Sequence, residues 1–295
     1  MRYFTFFVVL GVLGCCFFAK KIVAQDSIRT ISPTNSYVYR LISKVNSTDY
    51  QINVALPKDY NENDSIRYPV VYFLDGNIWF PLAVAEYNTM NKAGALQPLI
   101  IVAIGYQVPD FTYDIVHRTR DYTPSVMSEA DSSMSKLYNC VVKSGGADSF
   151  LDVIENEIIP FVDKKFKTNT NKSLTGHSLG GLFATYALVK RPDLFQQYFI
   201  FSPSLWWDND YMFQFLGKEL PVSKNKKLVA HFAIGANETK RMVGDLKEFL
   251  RRFRKANSKA IETDYLKVCE SDHFTALPTF VSFLFLHFTI RIEAD

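Results

Sequence analysis

Hydrophobic and polar residues alternate in two segments near the start of the chain, Tyr37–Ile42 and Tyr50–Leu56. This period of two is typical of half-buried strands, so the segments predict an antiparallel sheet edge. Two continuous apolar runs follow, Tyr68–Leu74 and Leu99–Ile104, and a glycine comes soon after each. A run without alternation suits a strand that is covered on both faces.

The second half of the chain repeats apolar runs and segments of helical periodicity. The strands predicted there are Ser173–Thr175, Tyr198–Phe201, Leu228–Ile234 and Thr263–Cys269. The predicted helices are Asp148–Phe166, Leu182–Val189, Met242–Phe253 and Phe280–Ile290, and Pro160 predicts a kink or break in the first. This order predicts an α/β fold with a mostly parallel sheet and helices on both faces. Chemistry in such sheets lies beyond the carboxyl ends of the strands.

The first 24 residues have the pattern of a targeting segment. Arg2 precedes an uncharged run from Phe4 to Ala19, and Ala24 offers a small residue at a cleavage point. We expect a cleaved signal peptide and export to the periplasm or medium; lipidation at Cys15 and a retained anchor are the alternatives. Residues 25–295 contain no linker and are expected to form a single catalytic domain.

Composition excludes some partners. The chain is 48% hydrophobic with a formal charge of +3, and residues 1–24 hold three basic and no acidic residues, so the mature chain is neutral. Nucleic-acid binding therefore has no electrostatic support. Any membrane contact is expected only through the leader or a lipid anchor. The composition does not predict an oligomeric state.

Two cysteines remain in the predicted mature domain, Cys140 and Cys269. They either pair in an oxidising compartment or stay as separate free thiols. The chain has no CxxC motif and no cluster of cysteine and histidine at zinc spacing. The sequence therefore predicts neither a metal site nor a cofactor.

Gly176-His177-Ser178-Leu179-Gly180 lies between a predicted strand and a predicted helix. This is the context of a nucleophile elbow, in which glycines permit a tight turn that exposes the serine hydroxyl. Ser178 is the predicted nucleophile. The N–H of Leu179 and the positive end of the helix are placed to stabilise an oxyanion.

A serine hydroxyl needs a base, and the chain has five histidines. His273 follows the last strand, where the order serine, acid, histidine places the base. His117 lies in an arginine-containing loop and is a candidate substrate contact. The other three are expected to pack or to point away from the nucleophile: His177, His231 and His287.

Glu238 follows the penultimate strand and is the predicted acid that orients His273. The rival acids are Asp208, Asp210 and Asp245. Asp272 adjoins His273 in the sequence, which makes the required geometry difficult. The second oxyanion donor is expected after the strand that ends at Leu74, at the N–H of Asn77 or of Ile78.

Two further segments are candidate substrate contacts. Arg118 and Arg120 are able to hold an anionic or acyl group, although ordinary loop salt bridges explain them nearly as well. Trp206 and Trp207 follow another strand, and their rings either stack on a substrate ring or pack in the core.

Taken together, these motifs resemble the esterase D-like branch of the α/β-hydrolases, from about Tyr37 to the C-terminus. This group includes S-formylglutathione hydrolases, feruloyl esterases, mycolyltransferases and enterobactin-type siderophore esterases. The motifs that carry the resemblance are Val70–Gly76, Arg118–Pro124, Gly145–Phe150 with Glu157–Pro160, the elbow, and Ser202–Trp207. Their combination is most similar to the siderophore-esterase side.

The resemblance implies an α/β-hydrolase fold in which Ser178 and His273 are catalytic. It also implies Leu179 and Asn77 as oxyanion donors and Arg118 or Arg120 as substrate-facing. The leading hypothesis is a serine carboxylic ester hydrolase that acts through an acyl-enzyme on a small or medium ester, with a siderophore trilactone as one candidate. The alternatives are an acyltransferase, a feruloyl or acetyl-sugar esterase, and a non-catalytic binding protein on the same scaffold.

Overall fold

An eight-stranded mixed sheet forms the centre of the computed structural model, which describes residues 35–108, 111–223 and 227–290. Its strands are β1 Ser36–Ile42, β2 Asp49–Ala55, β3 Tyr68–Phe73, β4 Ile100–Tyr106, β5 Thr168–His177, β6 Gln197–Phe201, β7 Leu228–Gly235 and β8 Ile261–Val268. The spatial order is β1-β2-β4-β3-β5-β6-β7-β8. β2 runs antiparallel to both β1 and β4, and the other neighbours are parallel. The predicted fold class, with its antiparallel edge, is confirmed.

The helices of the described residues are α1 Gly76–Met90, α2 Phe111–Tyr122, α3 Ser128–Tyr138, α4 Ala147–Val153, α5 Ile159–Lys165, α6 Leu179–Lys190, α7 Trp207–Asp210, α8 Lys240–Asn257 and α9 Leu277–Leu286. A π-helical turn, Ile154–Ile158, joins α4 to α5. Pro160 is the second residue after this turn and has no N–H to donate to the carbonyl four residues earlier, so the regular ladder of hydrogen bonds is interrupted. The break predicted at Pro160 is thus confirmed.

Helices also occupy segments where the sequence predicts none. Two residues separate α1 from β3, and α2 and α3 occupy most of the stretch between Gly105 and Ser149, which includes the segment around His117 that was expected to be a loop. Arg118 and Arg120 therefore lie on a helix, and the expectation of a loop around them is wrong.

Apolar side chains pack on both faces of the sheet. Alternate residues of β3 belong to different clusters: Tyr72 lies in a larger core, and Phe73 lies in a smaller one. The larger core includes residues of α2, α4, α6 and α8, whereas the smaller core is covered by α1 and α9. Since neighbouring residues of a strand point to opposite faces, the two cores sandwich the sheet.

The predicted leader, residues 1–24, lies outside the described residues, and the described residues belong to one compact unit. Cys140 and Cys269 are both free thiols. None of the described helices is long and apolar enough to cross a membrane.

Candidate active site

A sharp turn between β5 and α6 carries Ser178. Its backbone has φ 60° and ψ −118°, a conformation that residues with a side chain rarely adopt. A Cβ at Gly176 would lie 2.3 Å from the carbonyl oxygen of Gly180, so only glycine fits there. Because α6 begins at Leu179, its first N–H groups and its positive dipole end lie beside the serine.

Glu238, which is buried, pairs with the partly exposed His273, and the two follow β7 and β8. Nδ1 of His273 lies 3.0 Å from Oε2 of Glu238. The other carboxylate oxygen accepts from the Ser202 hydroxyl and, at 3.1 Å, from the Gly235 N–H. Burial raises the pKa of Glu238, but these three hydrogen bonds outweigh burial and the pKa is lowered below its usual value. The carboxylate is therefore charged and fixes the His273 tautomer with Nε2 as the proton acceptor.

His177 holds the loop of His273 beside the elbow. Its Nε2 lies 2.9 Å from the carbonyl oxygen of His273, and the two ring centroids are 4.3 Å apart. Burial, followed by the charges of His273 and Arg118, lowers the pKa of His177 well below its usual value. A neutral ring with a proton on Nε2 donates to that carbonyl. Since His177 precedes Ser178, this contact brings the loop of His273 close to the elbow.

Among the five acids considered from the sequence, Glu238 is the one that contacts the His273 ring. The Asp272 carboxylate instead accepts from the N–H groups of Phe274 and Thr275 within its own turn. Asp210 and Asp245 both pair with Arg241.

The turn after β3 presents Asn77 toward the same edge of the sheet. The N–H of Ile78 donates to the Asp75 carbonyl, which leaves Asn77 as the better candidate for an oxyanion donor. The Asn77 side chain bonds both the N–H and the carbonyl of Tyr106, at 2.9 and 3.1 Å. A Cβ at Gly105 would lie 1.8 Å from Asn77 Oδ1, so that glycine is needed for the approach.

A buried ion pair lies directly under the elbow. Arg118 donates to both oxygens of Asp75, at 2.8 and 3.2 Å, and the Asp75 N–H donates to the Tyr122 hydroxyl. Burial lowers the pKa of Arg118, but Asp75 outweighs burial and raises it. Because the Asp75 carboxylate is 3.2 Å from where a Cβ of Gly180 would lie, the pair supports the turn that carries Ser178.

Asp114, one turn before Arg118 on α2, is a buried acid whose two oxygens have no hydrogen-bond partner within the described part of the chain. Burial and the charge of Asp75 raise its pKa to about 6, against the lowering effect of Arg118. The carboxyl group is thus held in surroundings that disfavour its charged form.

The remaining predicted substrate contacts occupy different environments. Arg120 donates to Asp121 at 2.7 Å and to the Thr48 hydroxyl at 2.8 Å. Trp207 is buried, and its Nε1 donates to the Ser125 carbonyl at 3.2 Å. Trp206 is half-buried against the larger core. Arg120 and Trp207 are therefore held by polar contacts, whereas Trp206 packs against the larger core.

Two hydroxyls at the candidate site, those of Ser202 and Ser204, were not predicted from the sequence. Ser204 Oγ lies 3.4 Å from Ser178 Oγ, and the Ser204 N–H donates to the Ser178 carbonyl at 3.1 Å. Ser202, at φ 43°, binds Glu238. Both follow β6, the strand next to β5, so the position of the Ser202–Trp207 run after a strand was the available signal.

An esterase family profile and several proteins named as esterases match this chain. The profile of the family described as "Putative esterase" matches residues 43–276. The siderophore triacetylfusarinine C esterase of Aspergillus fumigatus is 36% identical over 165 residues, which is 54% of this chain and 53% of that protein. The ferri-bacillibactin esterase BesA of Bacillus subtilis is 27% identical over 233 residues, 73% of this chain and 76% of BesA. The chain thus spans about half the length of the first relative.

Two solved structures share the fold of this chain. The BES protein from Bacillus cereus superposes with a TM-score of 0.74 at 28% identity, covering 89% of this chain and 98% of that one. The siderophore hydrolase EstB from Aspergillus nidulans also has a TM-score of 0.74, at 24% identity, over 90% of this chain and 98% of its own. The resemblance to the siderophore-esterase side of the α/β-hydrolases is confirmed. Because the profile of the family described as "Putative esterase" matches most of its length, this chain belongs to that family.

Proposed function

We propose that this chain is a serine carboxylic ester hydrolase that cleaves ester bonds of a siderophore. The observation that carries the proposal is the Glu238–His273 pair, held by His177 beside a serine on a strained strand-to-helix turn. A charged acid, a tautomer-fixed imidazole and an exposed hydroxyl are the parts that acyl transfer requires.

In this mechanism the Ser178 hydroxyl attacks the ester carbonyl while Nε2 of His273 takes its proton. The N–H groups of Leu179 and Asn77 bind the developing oxyanion, and Glu238 stabilises the imidazolium. His273 then protonates the leaving alcohol. Water, activated by the same ring, attacks the acyl-enzyme and releases the acid. No step in this sequence uses a cofactor.

The substrate class rests on the relatives. Relatives from fungi and bacteria have names that specify siderophores, including a siderophore enterobactin esterase and an apo-salmochelin esterase. The pattern of the first 24 residues, which lie outside the described part, supports export of the chain to a compartment where a siderophore is encountered.

The test is hydrolysis of a trilactone siderophore in its iron-free and ferric forms. The linear products are separated by chromatography and identified by mass spectrometry. We expect turnover by the wild-type chain and a loss of at least about 1,000-fold in kcat for Ser178→Ala. Ser204→Ala is the matched control, because it removes a neighbouring hydroxyl that does not form the acyl-enzyme. It should retain activity to within about tenfold.

If folded wild-type protein hydrolyses simple aryl esters but no siderophore, the proposed substrate class is wrong, but the assignment as an ester hydrolase still holds. If Ser178→Ala keeps its activity on every ester, the assignment of the nucleophile is wrong.

A further inference from the structure

A second cluster of titratable side chains lies on the sheet, away from the catalytic residues. His231 on β7 and Asp264 on β8 are register partners, and His287 follows the end of α9. One nitrogen of each ring and one Asp264 oxygen lie within 4.8 Å of one another. His231 lies four residues before the end of β7, which is about 13 Å along the strand from Gly235. The cluster is therefore separate from Glu238 and His273.

Both ring nitrogens of His287 face acceptor oxygens, and this arrangement requires a positive charge at the site. Its Nδ1 is 2.8 Å from the Phe283 carbonyl oxygen, and its Nε2 is 3.3 Å from Asp264 Oδ2. Both oxygens are acceptors only, whereas a neutral imidazole has a single N–H. One nitrogen lone pair therefore faces an oxygen lone pair unless the ring takes up a second proton or a metal cation lies between the two atoms.

His231 approaches the same oxygen in the same way. Its Nδ1 is 2.8 Å from Asp264 Oδ2, and its Nε2 is 3.3 Å from Gln197 Oε1. When each ring donates its outer N–H, to Gln197 and to Phe283, two lone pairs converge on one carboxylate. With the Gln197 oxygen toward His231 Nε2, a single added proton satisfies one of these contacts, whereas one metal ion satisfies both.

We propose that His231, Asp264 and His287 bind a divalent transition-metal ion, such as Zn²⁺, that clamps β7, β8 and α9 together. Two imidazoles and a carboxylate suit zinc, whereas Mg²⁺ and Ca²⁺ prefer a set of oxygen ligands. The Gln197 and Phe283 oxygens supply the outer hydrogen bonds that orient metal-bound histidines in proteins.

The spacing and access fit such an ion. At Zn–N and Zn–O distances near 2.1 Å, tetrahedral ligands lie about 3.3 Å apart, so the observed gaps of 2.8 and 3.3 Å need only small adjustments. Asp264 Oδ1 has no hydrogen-bond partner in the described structure and is available as a further ligand atom. An open groove of about 400 Å³, lined in part by His231 and His287, admits the ion and a coordinating water.

The decisive experiment titrates the full chain, first stripped with a chelator, with ZnCl₂ in competition with a chromophoric indicator. We expect one tight site per chain, a rise in Tm on saturation, and no response to Mg²⁺ or Ca²⁺. His287→Gln should weaken zinc binding at least ~10-fold and abolish the Tm shift. His273→Gln is the matched control, because it removes the catalytic imidazole and should keep both the tight site and the shift.

Equal zinc affinity in His287→Gln and wild type would overturn the proposal, as would loss of the site in His273→Gln alone. Zinc-edge anomalous diffraction from crystals of the wild-type chain gives a check that does not depend on a variant folding. A peak among the three side chains supports the site, and its absence from zinc-saturated crystals refutes it.

Discussion

At the scale of single residues, Asp114 is a buried acid for which the described structure shows no hydrogen-bond partner. It is 2% exposed, its oxygens lack partners among the described residues, and the Asp75 carboxylate adds a like charge. Burying a charge without a partner destabilises the native state. Unfavourable groups of this kind are concentrated at functional sites, and this one lies on the helix that supports the elbow.

We expect Asp114→Asn to stabilise the protein at neutral pH. The pKa of about 6 lies above the usual 3.8, so the native state binds more protons than the unfolded chain between these values. The free energy of unfolding of the wild type therefore falls as the pH rises through this window. Removing the charge should raise it by about 3 kcal/mol at pH 8 and about 1 kcal/mol at pH 4.5.

Urea unfolding at the two pH values measures this difference. Glu62→Gln, at an exposed acid, is the matched control and should give the same small change at both. A gain from Asp114→Asn that does not grow with pH would show that the carboxyl is not disfavoured in its charged form.

At the scale of elements, α2 is joined to the β3–α1 turn by the Arg118–Asp75 pair. The side chains are 14% and 4% exposed, so removing one partner leaves the other charge buried. The ion pair also explains why Arg118, expected from the sequence to face substrate, has its guanidinium turned into the protein. The position of α2 relative to the elbow depends on this contact.

Arg118→Met should therefore lower the free energy of unfolding by about 3–5 kcal/mol. Adding Asp75→Asn removes the unpaired charge and should recover part of the loss, which a double-mutant cycle in urea measures. If Arg118→Met instead leaves stability unchanged and raises KM alone, Arg118 contacts substrate and the structural role is wrong.

The elements differ in how far hydrophobic periodicity reveals them. α8 is recognisable because apolar positions recur along one face and basic residues lie at its end. The face that α2 buries includes Asp114, Thr119 and Asp121, so a search for apolar periodicity misses it. α1 contains Pro81 within an almost uniformly apolar stretch, which hides both the helix and its face.

Those residues of the candidate site that are placed by their order along the chain could be predicted from the sequence. Contacts that depend on how the elements pack together could not. Ser178, Glu238 and His273 follow β5, β7 and β8, in a chain order that the sequence displays. The contact of His177 with His273 joins residues 96 positions apart, and no local pattern signals it. The meeting of His231 and His287 likewise depends on how α9 packs on the sheet.

At the scale of the whole molecule, the two cores have different relations to the catalytic residues. Phe280 of α9 lies in the smaller core, stacked on Phe201 at 4.9 Å and 6.2 Å from the His177 ring, which in turn holds His273. Phe249 of α8 lies in the larger core on the opposite face, against Phe232 and other aromatic rings. Both phenylalanines are fully buried.

We expect Phe280→Ala and Phe249→Ala to destabilise the protein similarly, each by about 3–5 kcal/mol, because each leaves a cavity the size of a ring. Their effects on catalysis should differ. Loss of Phe280 frees His177 and displaces His273, and a shift of about 1 Å at a catalytic group costs roughly 100-fold in rate. Loss of Phe249 should leave kcat within about twofold when measured well below the Tm of both variants. Equal losses of kcat would mean that the smaller core positions the base no more than the larger one does, and that the elbow alone sets the site.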